Sequence, residues 1–201
     1  MTCTHPARVT NLYADLETTG LDTDADELVE VAVIGTNADL DELFRGTWLT
    51  RPSAAGLAQM YGNKWIRETD TANGIFADLT AAHAVGPDAL LTVPQIEDEL
   101  MLLLGAHGGL RGKVSLSGSG VAEFDKVFLA RLMPTLMGEL HYRTTDVGYL
   151  RRSYLAATEH NLTEVNDTKT HRALDDVVAH LAEERTFRDL FRAHYAAQVA
   201  A

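Results

Sequence analysis

The 201-residue chain contains a single cysteine, Cys3, and no long hydrophobic run. One cysteine excludes a disulfide framework and a cysteine-based zinc site, and it fits a reducing compartment, so we expect a cytoplasmic protein. No stretch approaches the roughly 18 apolar residues that a membrane span requires, so we expect no membrane partner. The start, MTCTHPARVTNLYADLE, lacks an apolar segment of the kind found in secretory leaders, and we therefore expect no signal peptide.

Basic residues are also scarce. The chain has 17 lysines and arginines against 29 aspartates and glutamates, which gives a formal net charge of −12. The excess lies in the first half, because residues 1–100 hold 17 acids and 5 bases, whereas residues 101–201 hold 12 of each. This balance counts against a protein that binds long duplex DNA through its phosphates. Two interpretations stay open: the acids keep the protein in solution, or some of them hold metal ions that contact phosphate.

The residue pattern is typical of one globular domain. Hydrophobic residues make up 46% of the chain, which excludes wholesale disorder. Runs of β-forming residues predict strands over residues 9–14, 28–35, 44–49, 113–116 and 144–147. Helical spacing and turn residues predict helices over residues 74–84, 94–105, 121–131, 148–157 and 172–195, with short helices around 59–61 and 64–68. This order predicts a single α/β domain over residues 1–201, with a mixed central sheet flanked by helices.

The C-terminal third of the sequence predicts a loop and an amphipathic final helix. Residues 158–170 are polar, and we predict a mobile loop there. The final helix is predicted to bury an apolar stripe because its apolar residues recur at helical spacing. The stripe consists of Leu174, Val177, Val178 and Leu181.

Asp15 and Glu17 form an acid pair at the end of the first predicted strand. Residues two apart on a strand point to the same face, so both carboxylates lie on one side, with Leu16 on the other. Two neighbouring acids repel each other unless a positive charge lies between them, and Mg²⁺ or Mn²⁺ suits such oxygen ligands. Taken alone, the pair is weak evidence for a metal site, and a solvated strand edge is the more common explanation.

Further candidate residues lie at the starts of two predicted helices. Asp125 follows a strand and a glycine-rich turn, where an acid also stabilises a helix N-terminus. His171 precedes Asp175 and Asp176 in THRALDDVVAHL. This histidine is either an exposed polar residue or, beside a metal site, a general base whose pKa lies near the working pH.

Together these motifs resemble the DEDDh branch of the 3′→5′ exonucleases, in the DnaQ-like, ribonuclease H-like superfamily. Within that branch the likeness is greatest to oligoribonuclease. It is carried by ADLETTGLDTDADELVEVAVIGTNADL, by FDKVFLARLMPTLMGELHYRTTDVGYLRR and by THRALDDVVAHLAEE, with a looser match at WIRETDTANG. These segments span nearly the whole chain, and their combination is far more specific than any one of them.

The resemblance implies a set of catalytic residues. In the family's pattern, two Mg²⁺ or Mn²⁺ ions are held by four acids, which here are Asp15, Glu17, Asp125 and Asp176, and His171 is the general base. Asp176 is preferred to Asp175 because the family places its last acid five residues after the histidine. Helical geometry alone leaves these two aspartates equivalent.

The resemblance also implies residues that bind the substrate. Leu21 and Trp65 match positions that pack against the terminal bases, and a tryptophan face stacks on any base. Tyr142 and Arg143 match positions that reach the substrate phosphate across a homodimer interface. From the sequence alone, Trp65 is equally consistent with an ordinary core or groove residue, and the other pair with a surface strand end.

This chain departs from the family at three places. The turn before Asp125 reads GSGVAEFD instead of a G-N-S segment, Asp70 replaces a histidine, and Gly148 replaces a serine that helps hold the 5′ phosphate. We therefore expect the chemistry to be kept and the preference for dinucleotides to be weaker. The predicted function is a 3′→5′ exonuclease that degrades short single-stranded RNA to nucleoside 5′-monophosphates. The alternatives are a DnaQ-like exonuclease on single-stranded DNA and a non-catalytic nucleic-acid-binding module.

Overall fold

The computed structural model describes residues 8–86, 88–162 and 170–199. A five-stranded sheet forms the centre, with the strand order β3-β2-β1-β4-β5. β1 pairs with β2 and β2 with β3 in antiparallel fashion, whereas β4 runs parallel to both β1 and β5. The strands are β1 Asn11–Thr18, β2 Leu28–Thr36, β3 Glu42–Leu49, β4 Ser115–Gly118 and β5 His141–Asp146.

Eight helices within the described residues surround this sheet. They are α1 Ala54–Gly62, α2 Lys64–Ala72, α3 Ile75–Val85, α4 Val93–Ala106, α5 Asp125–Leu132, α6 Pro134–Glu139, α7 Val147–Thr158 and α8 Ala173–Val199. None of these helices is long and apolar enough to cross a membrane. The mixed sheet with flanking helices is the predicted α/β architecture.

The alternation of side chains along β1 divides the core between the two faces of the sheet. Leu12, Ala14 and Leu16 belong to an apolar cluster that also contains residues of α4 and α5. Tyr13 belongs to a second cluster, with residues of α7 and α8. A third, smaller cluster joins β2 to the three helices α1–α3, including Met60 of α1.

Several element boundaries differ from those predicted. The first strand extends to Thr18, so the acid pair lies within β1 and not at its end. Residues 121–124 form a turn, and α5 begins at Asp125. The short helices are longer than predicted, because Ser53 and Asn63 cap the N-termini of α1 and α2 with their side chains. Of the predicted mobile loop, residues 163–169 lie outside the described residues.

The buried face of α8 is more polar than predicted. Val177 and Leu181 are buried, but Val178 is exposed, which corrects part of the predicted stripe. Glu183 and Glu184 are buried instead. Their charges are compensated by paired groups, since Arg151 contacts Glu183 at 2.9 Å and Glu184 binds both Tyr13 and Arg188. Apolar periodicity cannot detect such a face, because it counts every acid as solvent-exposed.

Candidate active site

Asp15 and Glu17 lie on the face of β1 that packs against α8. Tyr13, two residues before Asp15, donates a hydrogen bond to Glu184 of α8, and the alternation of the strand directs the two acids to the same side. Leu16 points to the opposite face, into the core with α4 and α5. Both carboxylates are only partly buried. The predicted shared face of the acid pair is therefore present in the structure.

Glu17, His171 and Asp176 converge at one point. Each offers one ligand atom, and these three atoms lie within 4.8 Å of one another. Asp176 is 8% exposed, whereas Asp175 is exposed and accepts a hydrogen bond from the Thr170 hydroxyl at 2.8 Å. Of the two aspartates left equivalent by the sequence, only Asp176 belongs to this group.

Asp125 is the first residue of α5 and is buried. Its carboxylate accepts hydrogen bonds from its own backbone N–H and from that of Leu16, the residue between Asp15 and Glu17. Burial nevertheless raises the pKa of Asp125 to about 7, with a further contribution from the charge of Asp146. The helix start thus brings a third acid to the same stretch of β1.

Burial and neighbouring carboxylates raise the pKa values of acids around Glu17. The pKa of Glu17 is raised from 4.5 to about 8, first by burial and then by Asp176, Asp70, Glu30 and Asp125. The pKa of Asp70 is raised to about 6, chiefly by burial. A cluster of oxygen donors with excess negative charge is the donor set that Mg²⁺ and Mn²⁺ prefer, so these residues fit divalent cations.

The residues predicted to bind bases and phosphate are exposed. Leu21 is 83%, Trp65 62% and Tyr142 69% exposed. The Trp65 and His171 rings meet edge to face with their centroids 5.4 Å apart, so Trp65 adjoins the acid group. Arg143 places its guanidinium over the Tyr142 ring at 5.2 Å, on the edge strand β5.

A buried aspartate holds the loop that carries Leu21. Asp26 accepts hydrogen bonds from the Thr19 hydroxyl at 3.0 Å, from the backbone N–H of Asp22 at 2.7 Å and from Gln59 at 2.5 Å. The bond from Gln59 ties the loop to α1, and α2 with Trp65 follows directly after it. Nothing in the sequence distinguishes Asp26 from the exposed aspartates beside it, so it is not among the predicted site residues.

Gly148 is buried at the start of α7, against the turn after β4. A Cβ atom added to Gly148 would lie 2.5 Å from Ser119 Oγ and 3.2 Å from Asp146 Oδ1. Ser119 therefore occupies the space into which a side chain at residue 148 would project. A serine cannot enter there unless Ser119 moves.

Glu30 and Asn73 are further polar residues near the site that are not among the predicted site residues. Glu30 is buried on β2, where it is the cross-strand neighbour of Glu17. A lone acid within the apolar strand LVEVAVIGT was the available signal for Glu30. Asn73 contacts the backbone of His171 across 98 residues of sequence, and nothing in the sequence indicates that contact.

The chain is similar to curated oligoribonucleases over about nine tenths of its length. It is 34% identical over 182 residues to the oligoribonuclease of Streptomyces coelicolor, a match that covers 89% of this chain and 84% of that protein. It is also 34% identical over 181 residues to the oligoribonuclease of Sodalis glossinidius, with 90% and 94% covered. The chain belongs to the oligoribonuclease family. This membership confirms the resemblance that the three acidic motifs carried, although no family model matches the chain.

Solved structures show that this oligoribonuclease-family chain shares the fold of exonuclease I. Exonuclease I from Methylocaldum szegediense aligns with a TM-score of 0.60 at 15% identity, over 89% of this chain. E. coli exonuclease I in complex with a 5cy-dA13 oligonucleotide aligns with a TM-score of 0.57 at 14% identity, over 90%. The chain spans about two fifths of each of those proteins, 40% and 41%. The predicted ribonuclease H-like fold is thereby confirmed.

Proposed function

We propose that this protein is a metal-dependent 3′→5′ exoribonuclease that releases nucleoside 5′-monophosphates from short single-stranded RNA. One observation carries the proposal: a chain of the oligoribonuclease family brings Glu17, His171 and Asp176 within 4.8 Å of one another. We assign the activity to residues 1–201 as one exonuclease domain. The single cysteine and the absence of long apolar runs support a cytoplasmic setting.

Asp15, Glu17, Asp125 and Asp176 are the residues that would hold two Mg²⁺ or Mn²⁺ ions. When bound, such ions would offset the repulsion among the carboxylates and lower the pKa of a coordinated water. The raised pKa values of Glu17 and Asp125 support this assignment, because groups that are costly to ionise alone gain most from a bound cation.

His171 is proposed to act as the general base. It is partly exposed, it adjoins Glu17 and Asp176, and its imidazole can accept a proton from the attacking water. The resulting hydroxide attacks the terminal phosphodiester in line, and the 3′-oxygen of the preceding nucleotide leaves. The leaving oxygen takes up a proton and becomes the new 3′-hydroxyl of the shortened RNA, and the released nucleotide carries the 5′-phosphate.

Recognition is proposed to concentrate on the last nucleotides of the substrate. Trp65 stands beside the catalytic group and offers a face for base stacking, with Leu21 on the neighbouring loop. Tyr142 and Arg143 lie together on the edge strand β5, where they are accessible to a second copy of the chain. We propose that a homodimer presents this pair to the phosphate of the substrate bound by the partner.

The proposal is tested by digestion of end-labelled RNA and DNA of two to twenty nucleotides with Mn²⁺ or with EDTA. We expect Mn²⁺-dependent release of nucleoside 5′-monophosphates from the 3′ end of short RNA. Faster digestion of DNA would favour the alternative of a single-stranded DNA exonuclease. Binding of either nucleic acid without hydrolysis would favour a non-catalytic module. Asp15→Ala and Glu17→Ala should both abolish hydrolysis.

A further inference from the structure

His171 has a backbone conformation that needs support from its surroundings. Its φ is +50°, in the left-handed region that residues other than glycine seldom occupy. Such conformations persist when neighbouring contacts stabilise them, and they recur at functional sites. The conformation matters here because a general base must lie within hydrogen-bond reach of the proton that it removes.

The first supporting contact comes from Asn73, the residue that ends α2. Its side-chain amide donates a hydrogen bond to the backbone carbonyl of His171 at 2.5 Å. Its side-chain oxygen accepts a hydrogen bond from the backbone N–H of Ile75, the first residue of α3, at 3.0 Å. One side chain thus ties the junction between α2 and α3 to the backbone of the base.

The second contact comes from Arg172, the next residue along the chain. Its guanidinium lies 2.6 Å from Glu30 on β2 and 2.9 Å from Asp78 on α3. The Glu30 carboxylate also accepts the backbone N–H of Ala173, the first residue of α8, at 2.9 Å. Glu30 is 1% exposed, so this side of the ion pair is shielded from solvent, and Arg172 binds the carboxylate through both Nε and Nη2, which fixes the orientation of the guanidinium.

These contacts fix the backbone that directly follows the Cα atom of His171. The carbonyl of His171, the side chain of Arg172 and the N–H of Ala173 are held by three different elements of the fold. The ring itself meets Trp65 edge to face, and one of its nitrogen atoms lies within 4.8 Å of a carboxylate oxygen of Glu17 and of Asp176. The Asn73 side chain also hydrogen-bonds the Asp70 carboxyl group. Neither Asn73 nor Arg172 belongs to the group formed by Glu17, His171 and Asp176.

We propose that Asn73 and Arg172 are positioning residues that hold His171 in the left-handed conformation from which its ring reaches the catalytic centre. Glu30 and Asp78 anchor Arg172 in this arrangement. The assignment rests on the proposed role of His171 as the base. Loss of either positioning residue lowers the rate of the chemical step and leaves the acids that would hold the metal in place.

Asn73→Ala and Arg172→Lys test the proposal kinetically. Arg172→Lys keeps the positive charge but loses the fork that binds Glu30 and Asp78 together. We expect kcat to fall roughly 10- to 100-fold, the scale of a misplaced catalytic group, with KM and the affinity for Mn²⁺ unchanged. Arg45→Lys is the matched control, because Arg45 makes a similar fork onto Glu42 on the edge strand β3 and should keep full activity.

A double-mutant cycle separates positioning from general stability. If both residues act through His171, then Asn73→Ala and Arg172→Lys cause no further loss of kcat in a His171→Ala background. A residual rate that falls again by the same factor in that background would overturn the proposal. So would an unchanged kcat in both single variants.

A second measurement does not depend on activity. The Trp65 ring should shift the NMR signal of the His171 ring protons, and the signal is assigned by its loss in His171→Ala. In Asn73→Ala and Arg172→Lys we expect this signal to move toward that of an exposed histidine, with the rest of the spectrum preserved. An unmoved signal would overturn the proposal even if the wild-type protein showed no nuclease activity, whereas inactivity of the wild type alone would refute only the proposed function.

Discussion

Glu17 lies where an ionised carboxylate is unfavourable. Its pKa of about 8 reflects burial first and the acids around it second. The unfolded chain restores the ordinary value near 4.5, so between these two values the folded protein binds more protons than the unfolded one. Asp70 and Asp125, with pKa values of about 6 and 7, add to the same effect.

The free energy of unfolding of the metal-free protein should therefore decrease as the pH rises from about 5 to about 8. Chemical denaturation in EDTA across this range measures the effect. Glu17→Gln should flatten the dependence, because the amide cannot ionise, while Asp39→Asn, at an exposed acid, should leave it unchanged. Saturating Mn²⁺ should oppose the loss, since cations bind the ionised acids. Equal pH slopes in wild type and Glu17→Gln would contradict the assigned environment of Glu17.

His171→Ala should slow hydrolysis by roughly 10²–10⁴-fold, the range in which general acid–base catalysis contributes. Mn²⁺ affinity, measured by calorimetry, should change little, because His171 is proposed as a base and not as a ligand. A loss of metal binding in proportion to the loss of activity would show that His171 is instead a ligand. The closeness of its ring to Glu17 and Asp176 makes this comparison informative.

At the scale of secondary structure, the sequence predicted the order of strands and the longer helices, because their apolar periodicity reflects burial against the sheet. The short elements were harder to predict. Pro134, which lies just after the helix predicted over residues 121–131, is the first residue of α6, a position where proline is favoured. β5 begins at His141, three residues before the predicted start, because its exposed side chains give an edge strand little apolar signal.

Gly148, in the first turn of α7, leads to a prediction about stability that differs from what the family's serine at this position suggests. Restoring the family's serine at residue 148 would be expected to add a hydroxyl for the 5′ phosphate, but Ser119 already fills that space. Gly148→Ser should therefore lower the free energy of unfolding by about 1–3 kcal/mol, the cost of overpacking a filled site. Thermal denaturation measures this loss. Gly138→Ser on α6 is the control, because nothing lies within 4 Å of its added Cβ. Equal stability of the two variants would contradict the described packing.

At the scale of the whole molecule, the excess of acid limits how much of a nucleic acid the protein can hold. With a net charge of −12, the protein should gain little binding free energy from a long phosphate backbone outside the candidate active site. The residues proposed for recognition belong to two exposed groups, Leu21 with Trp65 and Tyr142 with Arg143. The proposed dimer would bring the second group to the substrate bound by the partner.

Short oligonucleotides should be preferred, with a weaker preference for dinucleotides than in an oligoribonuclease that carries a serine at the position of Gly148. The missing hydroxyl removes a hydrogen bond to a charged group, worth ~1.5–3 kcal/mol. We expect kcat/KM to decline gradually over substrates of two, three, five and ten nucleotides. A sharp optimum at two nucleotides would contradict the expected weaker preference for dinucleotides. Rates that climb steadily with length would contradict the expectation that a long phosphate backbone adds little binding.

The central claim is that the acids converging on β1, with His171, form the catalytic centre, and the neighbours Asp175 and Asp176 test it most directly. Both lie in the first turn of α8, but only Asp176 is buried and within 4.8 Å of the Glu17 and His171 atoms. The measurement is release of nucleoside 5′-monophosphate from a labelled five-nucleotide RNA with Mn²⁺. We predict that Asp176→Asn abolishes release while Asp175→Asn retains it. Retained release in Asp176→Asn, or equal loss in both variants, would contradict the account.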